Sequence, residues 1–348
     1  MLLGILRIFR IQLLFIHITP IFDALIMAKS KKKSSTTVPE DGIVTAGCYH
    51  IPVLLRESVD ALDIRPDGVY VDATHGGGGH SREILGRLGP EGRLFGVDRD
   101  LDALANCVID DPRFTFVRSN FRHIAHFMDF YGVEHVDGIL ADLGVSSHHL
   151  DDEERGFSFR FDAPIDMRMN QAGDRTAAML IRETEVGDLA DIFKTYGEVK
   201  GSYKIATLLK EADKAGRLST ISDLLEALRP VCPPHDKKNL ARIFQALRIA
   251  VNEEIDALRQ LLEVSVELLR PGGRLSVITY HSLEDRPVKN FIRTGNIDGT
   301  RHTDVFGAVI SPIEPLGSKP ILPSAEEITQ NPRSRSAKLR VGIRKEKK

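Results

Sequence analysis

A chain of 348 residues that is 42% hydrophobic and 28% charged has the makeup of a water-soluble globular protein, with room for one large domain or a core and a small companion. Its formal net charge of −2 excludes a protein that coats nucleic acid by overall charge, so a polyanionic partner has to be held by local patches. The three cysteines, Cys48, Cys107 and Cys232, form no CxxC pair, which leaves neither a disulfide framework nor a zinc site and suits a reducing cytosol.

The first 26 residues, MLLGILRIFRIQLLFIHITPIFDALI, are strongly apolar but broken by Arg7, Arg10, Pro20 and Asp23. Only twelve residues between Arg10 and Asp23 run without a formal charge, short of the ~20 a spanning helix needs, and no A-x-A cleavage site follows. A translation start placed upstream of a true one at Met27 ranks first, an interfacial amphipathic helix second and export last. The next stretch, MAKSKKKSSTTVPEDG, has the polar composition of a disordered cytosolic beginning. Residues 1–48 are therefore expected to stand outside the fold, with no stable membrane association.

From Tyr49 onward, strand-like runs alternate with helical patterns. GVYVDAT (68–74), GRLFGVD (92–98), RFTFVRSN (113–120) and VDGILADLG (136–144) are short, β-rich and bounded by Gly, Pro or Asp. Helix-like segments such as SREILGRLG (81–89) and LDALANCVI (101–109) lie between them. GGRLSVITYHS (272–282) supplies a fifth strand. Strands that are apolar throughout and separated by helices predict a doubly wound, mostly parallel α/β sheet. Its ligand crevice lies beyond the carboxyl ends of the strands.

The rhythm breaks over 156–238, where successive helices follow without a strand, and this segment is expected to be a helical insertion. The core would then comprise 49–155 and 239–348. Thr220 and Asp223 form a plausible capping box, and Pro230 ends that helix. Across 239–269, apolar residues at Ile243, Leu247, Val251, Ile255, Leu258 and Leu262 predict one or two amphipathic helices leading back to the sheet. The tail, RSRSAKLRVGIRKEKK (333–348), carries eight Lys or Arg against one Glu, with AKLRVGI readable as a last strand. Arg333 and Arg335, just before that strand, are better placed to meet phosphate than the lysines at the end.

The segment VYVDATHGGGGHSREIL (69–85) puts four glycines at a strand–helix junction, where something has to approach the backbone closely. A nucleotide phosphate loop would need Lys-Ser or Lys-Thr after the last glycine; His80 and Ser81 stand there instead. A dinucleotide turn would need a third glycine at Ser81. S-adenosylmethionine fits better, with Asp72 ahead of Gly76 to Gly79 as a carboxylate for its ammonium group. Asp98, twenty residues past Gly78 at the end of the second strand, suits the two ribose hydroxyls, although it would suit NAD equally. Asp100 is the better helix cap for 101–109. Phe121, after the third strand, offers an apolar face for adenine or a core contact. Asp142, ending the fourth strand, either caps the following turn or accepts a hydrogen bond from the nitrogen to be methylated.

HIPVLLRESVDAL, DATHGGGGHS, GVDRD, DLGVSSHHLDDEERGFSFRFDAPIDMRM, FQALRIAVN, GGRLSVITYHSLEDR and NPRSRSAKLR together closely resemble the bacterial ribosomal RNA small-subunit methyltransferase H family, from about His50 to about Arg344. The resemblance implies the class I S-adenosylmethionine methyltransferase fold, with a helical insertion for substrate recognition. It implies methylation of N4 of a cytidine in the decoding region of 16S rRNA, in the cytoplasm, on free rRNA or within the small ribosomal subunit. Neither a metal nor DNA is implied, and the oligomeric state stays open.

Carried over by motif, the cofactor contacts are Gly78, Gly79, His80, Asp98, Phe121, Asp142 and His149. His149 departs from the glutamine usual at its position, and a histidine's charge depends on pH. HDKKNLARIFQALRI also departs from the usual pattern, yet Lys237, Lys238 and Arg242 keep it basic. The resemblance makes Phe157, Phe159 and Phe161 a wall for the cytosine, although alternating aromatics more commonly mean one buried strand face. Asp142 and His281 are the catalytic candidates; His281 is either the proton acceptor or a structural partner of its loop. No cysteine stands in these motifs, so direct in-line displacement is expected. The alternatives are a same-fold methyltransferase for DNA or a small molecule, and an RNA-binding assembly factor that keeps the pocket without turnover.

Overall fold

Strands that bury both faces need apolar side chains at consecutive positions, and the segments 69–72, 93–98 and 136–142 of this chain largely satisfy that demand, while 114–118 forms a half-buried edge. The computed structural model describes residues 52–100, 103 and 109–346, all within one compact unit, Gly47–Lys348. The strands are β1 (Val69–Asp72), β2 (Arg93–Asp98), β3 (Phe114–Arg118), β4 (Val136–Asp142), β5 (Leu269–Thr279), β6 (Ile313–Pro315) and β7 (Lys338–Arg344). They form one seven-stranded sheet in the order β3-β2-β1-β4-β5-β7-β6. The first five are parallel, with β7 antiparallel to β5 and β6 antiparallel to β7. Tyr70, Val71, Leu94, Phe95, Ile139 and Leu140 are wholly or almost wholly buried, each contributing on the order of 1.5–3 kcal/mol through lost contact with water. The strand order reverses between β1 and β4, and that reversal opens the crevice described below.

Two strands differ from the expectation. β5 ends at Thr279 instead of running to Ser282, because the backbone of Tyr280 is drawn into the start of the next helix by Glu284. β6 has three residues and carries no alternating pattern; its Pro315 is tolerated because it lies on the sheet's edge strand. The readings placed on residues 1–48, and nearly all of the helix over 101–109, lie outside the described residues.

The helices relevant to the site are α1 (Leu55–Asp60), α2 (Gly79–Arg87), α3 (Ile124–Phe130), α4 (Ser147–Asp151), α5 (Ala177–Glu183), α6 (Val186–Gly197), α7 (Ser202–Lys214), α8 (Ile221–Leu228), α9 (Lys237–Asn252), α10 (Glu254–Leu268) and α11 (Ser282–Thr294). Helices α5 to α9 bury a core of their own through Phe193, Leu209, Leu224, Ile243 and Leu247, joined by Ile165 and Met167 from the preceding loop. Thr220 and Asp223 form the expected reciprocal cap at the start of α8. The stretch after 239 is two helices, because Glu253 takes a left-handed conformation with φ of 50° between them. Arg122 holds that corner through the carboxylate and the carbonyl of Glu253, at 2.8 and 3.2 Å. No helix among the described residues is long and apolar enough to cross a membrane.

Candidate active site

The cavity at the carboxyl ends of β1, β2, β4 and β5 has a volume of about 550 Å³, within the usual range for a small-molecule site. Its floor is the glycine turn. Gly76 and Gly78 have φ of 49° and 73°, a region that side-chain-bearing residues enter only at a cost. Gly79 is glycine for another reason: a Cβ there would collide with the Pro52 ring. Gly76, Gly77, Gly79 and His80 line the cavity, while Gly78 shapes the turn from behind as the residue capping α2.

Asp72 does not reach the cavity, contrary to the expectation that it meets the cofactor's ammonium group. It is fully buried beneath the turn, where Ser81 donates its hydroxyl to Oδ2 at 2.7 Å and the Thr74 N–H donates to Oδ1 at 3.2 Å. The Ser81 hydroxyl also lies 2.8 Å from Nδ1 of His75. A carboxylate sealed under a helix start is satisfied by the nearest donors, and here these belong to the turn itself.

Asp98 does face the cavity. Oδ2 accepts the Gly76 N–H at 2.8 Å and Oδ1 accepts the Asp100 N–H at 2.9 Å. Burial pushes its pKa up, against the pull of those two N–H groups. Each oxygen keeps a further lone pair for a ligand hydroxyl. Phe121 lies alongside, held in a short 3-10 turn by the Asn120 side chain, which accepts the Arg122 N–H at 3.1 Å. His80 is almost fully buried, and its Nε2 donates to the Val53 carbonyl at 3.2 Å, since a carbonyl can only accept.

His149 also lines the cavity, but it engages Asp100 at 2.5 Å, and its ring packs on Phe157 with centroids 5.0 Å apart. Arg155 donates to the same Asp100 oxygen at 3.2 Å. Asp100 thus ties α4 and the following loop to the end of β2, a wider role than the helix cap read for it. Phe157 and Phe159 serve packing: Phe159 meets Phe244 of α9 edge-on at 5.5 Å, and none of Phe157, Phe159 and Phe161 lines the cavity. Their segment is irregular rather than a strand; Phe157 and Phe159 join the core of the helices, and the Arg160 guanidinium lies over the Phe161 ring. Arg333 is committed to Asp151 at 2.6 and 2.9 Å, whereas Arg335 is exposed.

At the opposite wall, the Asp142 N–H donates to Thr74 Oγ1 at 2.6 Å, and Oδ1 accepts the Tyr280 hydroxyl at 2.7 Å. Burial pushes the Asp142 pKa up to about 6, with Asp72 and Glu284 adding to the rise and His80 and Tyr280 opposing it. Glu284 lines the same wall. Burial alone would raise its pKa, yet His281, the Tyr280 N–H and Arg248 hold it below the usual carboxylate range.

His281 itself stays out of the cavity lining. Its Nε2 lies 3.2 Å from Glu284 and 3.4 Å from Arg248, so the geometry gives it the part of a loop partner rather than a proton acceptor. The sequence reading missed Tyr280 and Glu284, though Glu284 stands three residues after the capping position, where a carboxylate commonly folds back. It also missed Glu254 and Arg99, which enter the lining from α10 and from just after β2. No local pattern marks either of them.

The lining suits S-adenosylmethionine. The turn presents main chain without Cβ atoms, Asp98 has spare acceptor capacity, and Asp142 and Glu284 match a ligand with a cationic end, while Glu254 is held by Arg248 at 2.9 and 3.0 Å. The sequence matches the model of the MraW methylase family over residues 47–345. A protein of Parabacteroides distasonis named ribosomal RNA small subunit methyltransferase H is 58% identical over 296 residues, covering 84% of this chain and 97% of that one. Its namesake in Bacteroides fragilis is 56% identical over 298 residues, covering 85% and 98%. The one in Porphyromonas gingivalis is 53% identical over 299 residues, covering 84% and 96%.

Proposed function

The chain belongs to the MraW methylase family, and on that premise we propose that it transfers a methyl group from S-adenosylmethionine to the N4 amine of a cytidine in the decoding region of 16S rRNA. The observation that carries this reading is Asp142, a carboxylate facing the same cavity as the glycine turn and Asp98.

The cofactor supplies an electrophilic methyl on a sulfonium. Asp98 would hold the ribose hydroxyls, Phe121 would cover the adenine, and the turn would give the sugar and amino acid portions a surface free of side chains. With Asp72 sealed away, Glu284 is the cavity carboxylate closest in role to the cationic end. The exocyclic amine of cytosine is a poor nucleophile because its lone pair is delocalised into the ring. Asp142 accepts one N–H, which fixes the amine's orientation toward the methyl. Once methylated, the nitrogen would have to shed a proton, for which the Asp142 carboxylate, its pKa raised to about 6, would be a suitable acceptor.

The helical part, 156–238, with Lys237, Lys238 and Arg242 at its exit, is assigned to gripping the RNA; such contacts weaken with salt. A substrate of this kind implies a reaction in the cytoplasm, on free rRNA or within the small ribosomal subunit. The test is methyl transfer from labelled cofactor to small subunits purified from cells lacking this protein, with the modified nucleotide mapped. Label on one cytidine N4 supports the assignment; label elsewhere, or none, overturns it.

A further inference from the structure

We propose that Tyr280 is a positioning residue for methyl transfer: its hydroxyl occupies Oδ1 of Asp142 and thereby reserves Oδ2 for the amine of the incoming base. The proposal rests on the reading of Asp142 given above and adds a second residue to it.

Tyr280 is held at both ends. Its N–H donates to Glu284 Oε2 at 2.8 Å, and its hydroxyl donates to Asp142 Oδ1 at 2.7 Å, joining the ends of β5 and β4 across the cavity wall. Asp142 receives no second bond of this kind: its Oδ2 has no partner among the described residues. The terminal torsion of an aspartate is soft and nearly two-fold, so without the hydroxyl its two oxygens would exchange freely. With the hydroxyl in place they differ, and only one is left to accept from a ligand.

The direction of this bond is fixed by chemistry. Burial and the neighbouring carboxylates keep the Tyr280 phenol protonated far above its ordinary range, so it donates at every working pH. A donor to the ionised carboxyl favours the ionised form, the form that can accept from an amine. The other groups bearing on Asp142 are His80 of α2, which favours ionisation, and Asp72 and Glu284, which oppose it. Tyr280 and His80 together thus offset part of the burial.

Tyr280→Phe removes only the hydroxyl. The measurements are cofactor binding by calorimetry and the rate of methyl transfer to small subunits as a function of pH. Cofactor affinity is expected to stay within about twofold, while the acid limb of the rate profile moves up by about one pH unit, the worth of one hydrogen bond to a charged group. In an Asp142→Asn background the same change should cost nothing further, since there is no carboxylate left to bias. An unmoved acid limb, or a full additive loss in the Asn background, overturns the proposal. If Tyr280→Phe does not fold, fluorotyrosine at position 280 keeps the shape and sharpens the donor; the limb should then move down, and no movement overturns the proposal. Failure of the functional reading looks different: the wild-type protein itself would leave the subunit unlabelled.

Discussion

Ser81 and Asp72 meet at 2.7 Å beneath the glycine turn, with the carboxylate fully buried and closed off from the cavity. The acidic residue ahead of the glycines therefore supports the turn from beneath and does not line the cavity.

Asp72→Ala should destabilise the protein by about 2–4 kcal/mol, because it removes the buried acceptor of the Ser81 hydroxyl and the Thr74 N–H and leaves a small void. Urea denaturation checks this. Weaker cofactor binding in a variant of unchanged stability would instead make Asp72 a ligand contact.

Gly79→Ala separates two reasons for the glycine run. The Cβ would strike the Pro52 ring, so an overpacking cost of about 1–3 kcal/mol is expected in the denaturation midpoint. Lost cofactor affinity at full stability would mean that the ligand, and not Pro52, demands the glycine.

With Asp142 as the proposed acceptor, the reaction should take its pH dependence from this carboxylate. Its pKa of about 6 lies above the ordinary carboxylate value, and the ionised form is the acceptor, so the rate should fall as pH drops through about 6. A stopped assay across that window measures the limb, and a flat profile would remove Asp142 from the chemistry.

The same shift makes Asp142 expensive to fold around. A carboxyl whose folded pKa is raised adds stability only while protonated, so stability falls as pH rises through about 6. Asp142→Asn keeps an oxygen for the Tyr280 hydroxyl and removes the buried charge. It should lower the methylation rate about a hundredfold or more while raising stability at neutral pH by about 1–2 kcal/mol, a gain that fades in acid. Paired thermal melts at neutral and acidic pH test the sign.

His149→Ala should cost about 1–3 kcal/mol, since Asp100 would keep Arg155 but lose its 2.5 Å partner. It should also weaken cofactor binding by loosening α4 at the cavity's edge. Calorimetry of the variant against the wild type checks both effects; unchanged binding would reduce His149 to a packing residue.

Much of the scaffold was legible before any coordinates. β1 to β4 fall within two residues of their expected ends, because short apolar runs bounded by Gly, Pro or Asp mark even the half-buried edge strand β3, and the cap at Thr220 is a local hydrogen-bond pattern. Asp98, Phe121, Asp142, His80 and His149 do share one cavity. The break at Glu253 left no such signature, because a left-handed glutamate is held by Arg122, 131 residues away in sequence.

The amino-acid sequence by itself therefore determined the parallel strands and the crevice where acidic strand ends converge, since these follow from periodicity and local turn chemistry, whereas the order of the strands came from the structure. Only the tertiary structure decided which of those groups face the ligand. Asp72 turned inward to Ser81, His281 turned to Glu284, and Tyr280 took the place beside Asp142. A side chain's direction at a strand end depends on which donor or acceptor from another element reaches it first. That competition is settled by packing across the fold, which no stretch of neighbouring residues encodes.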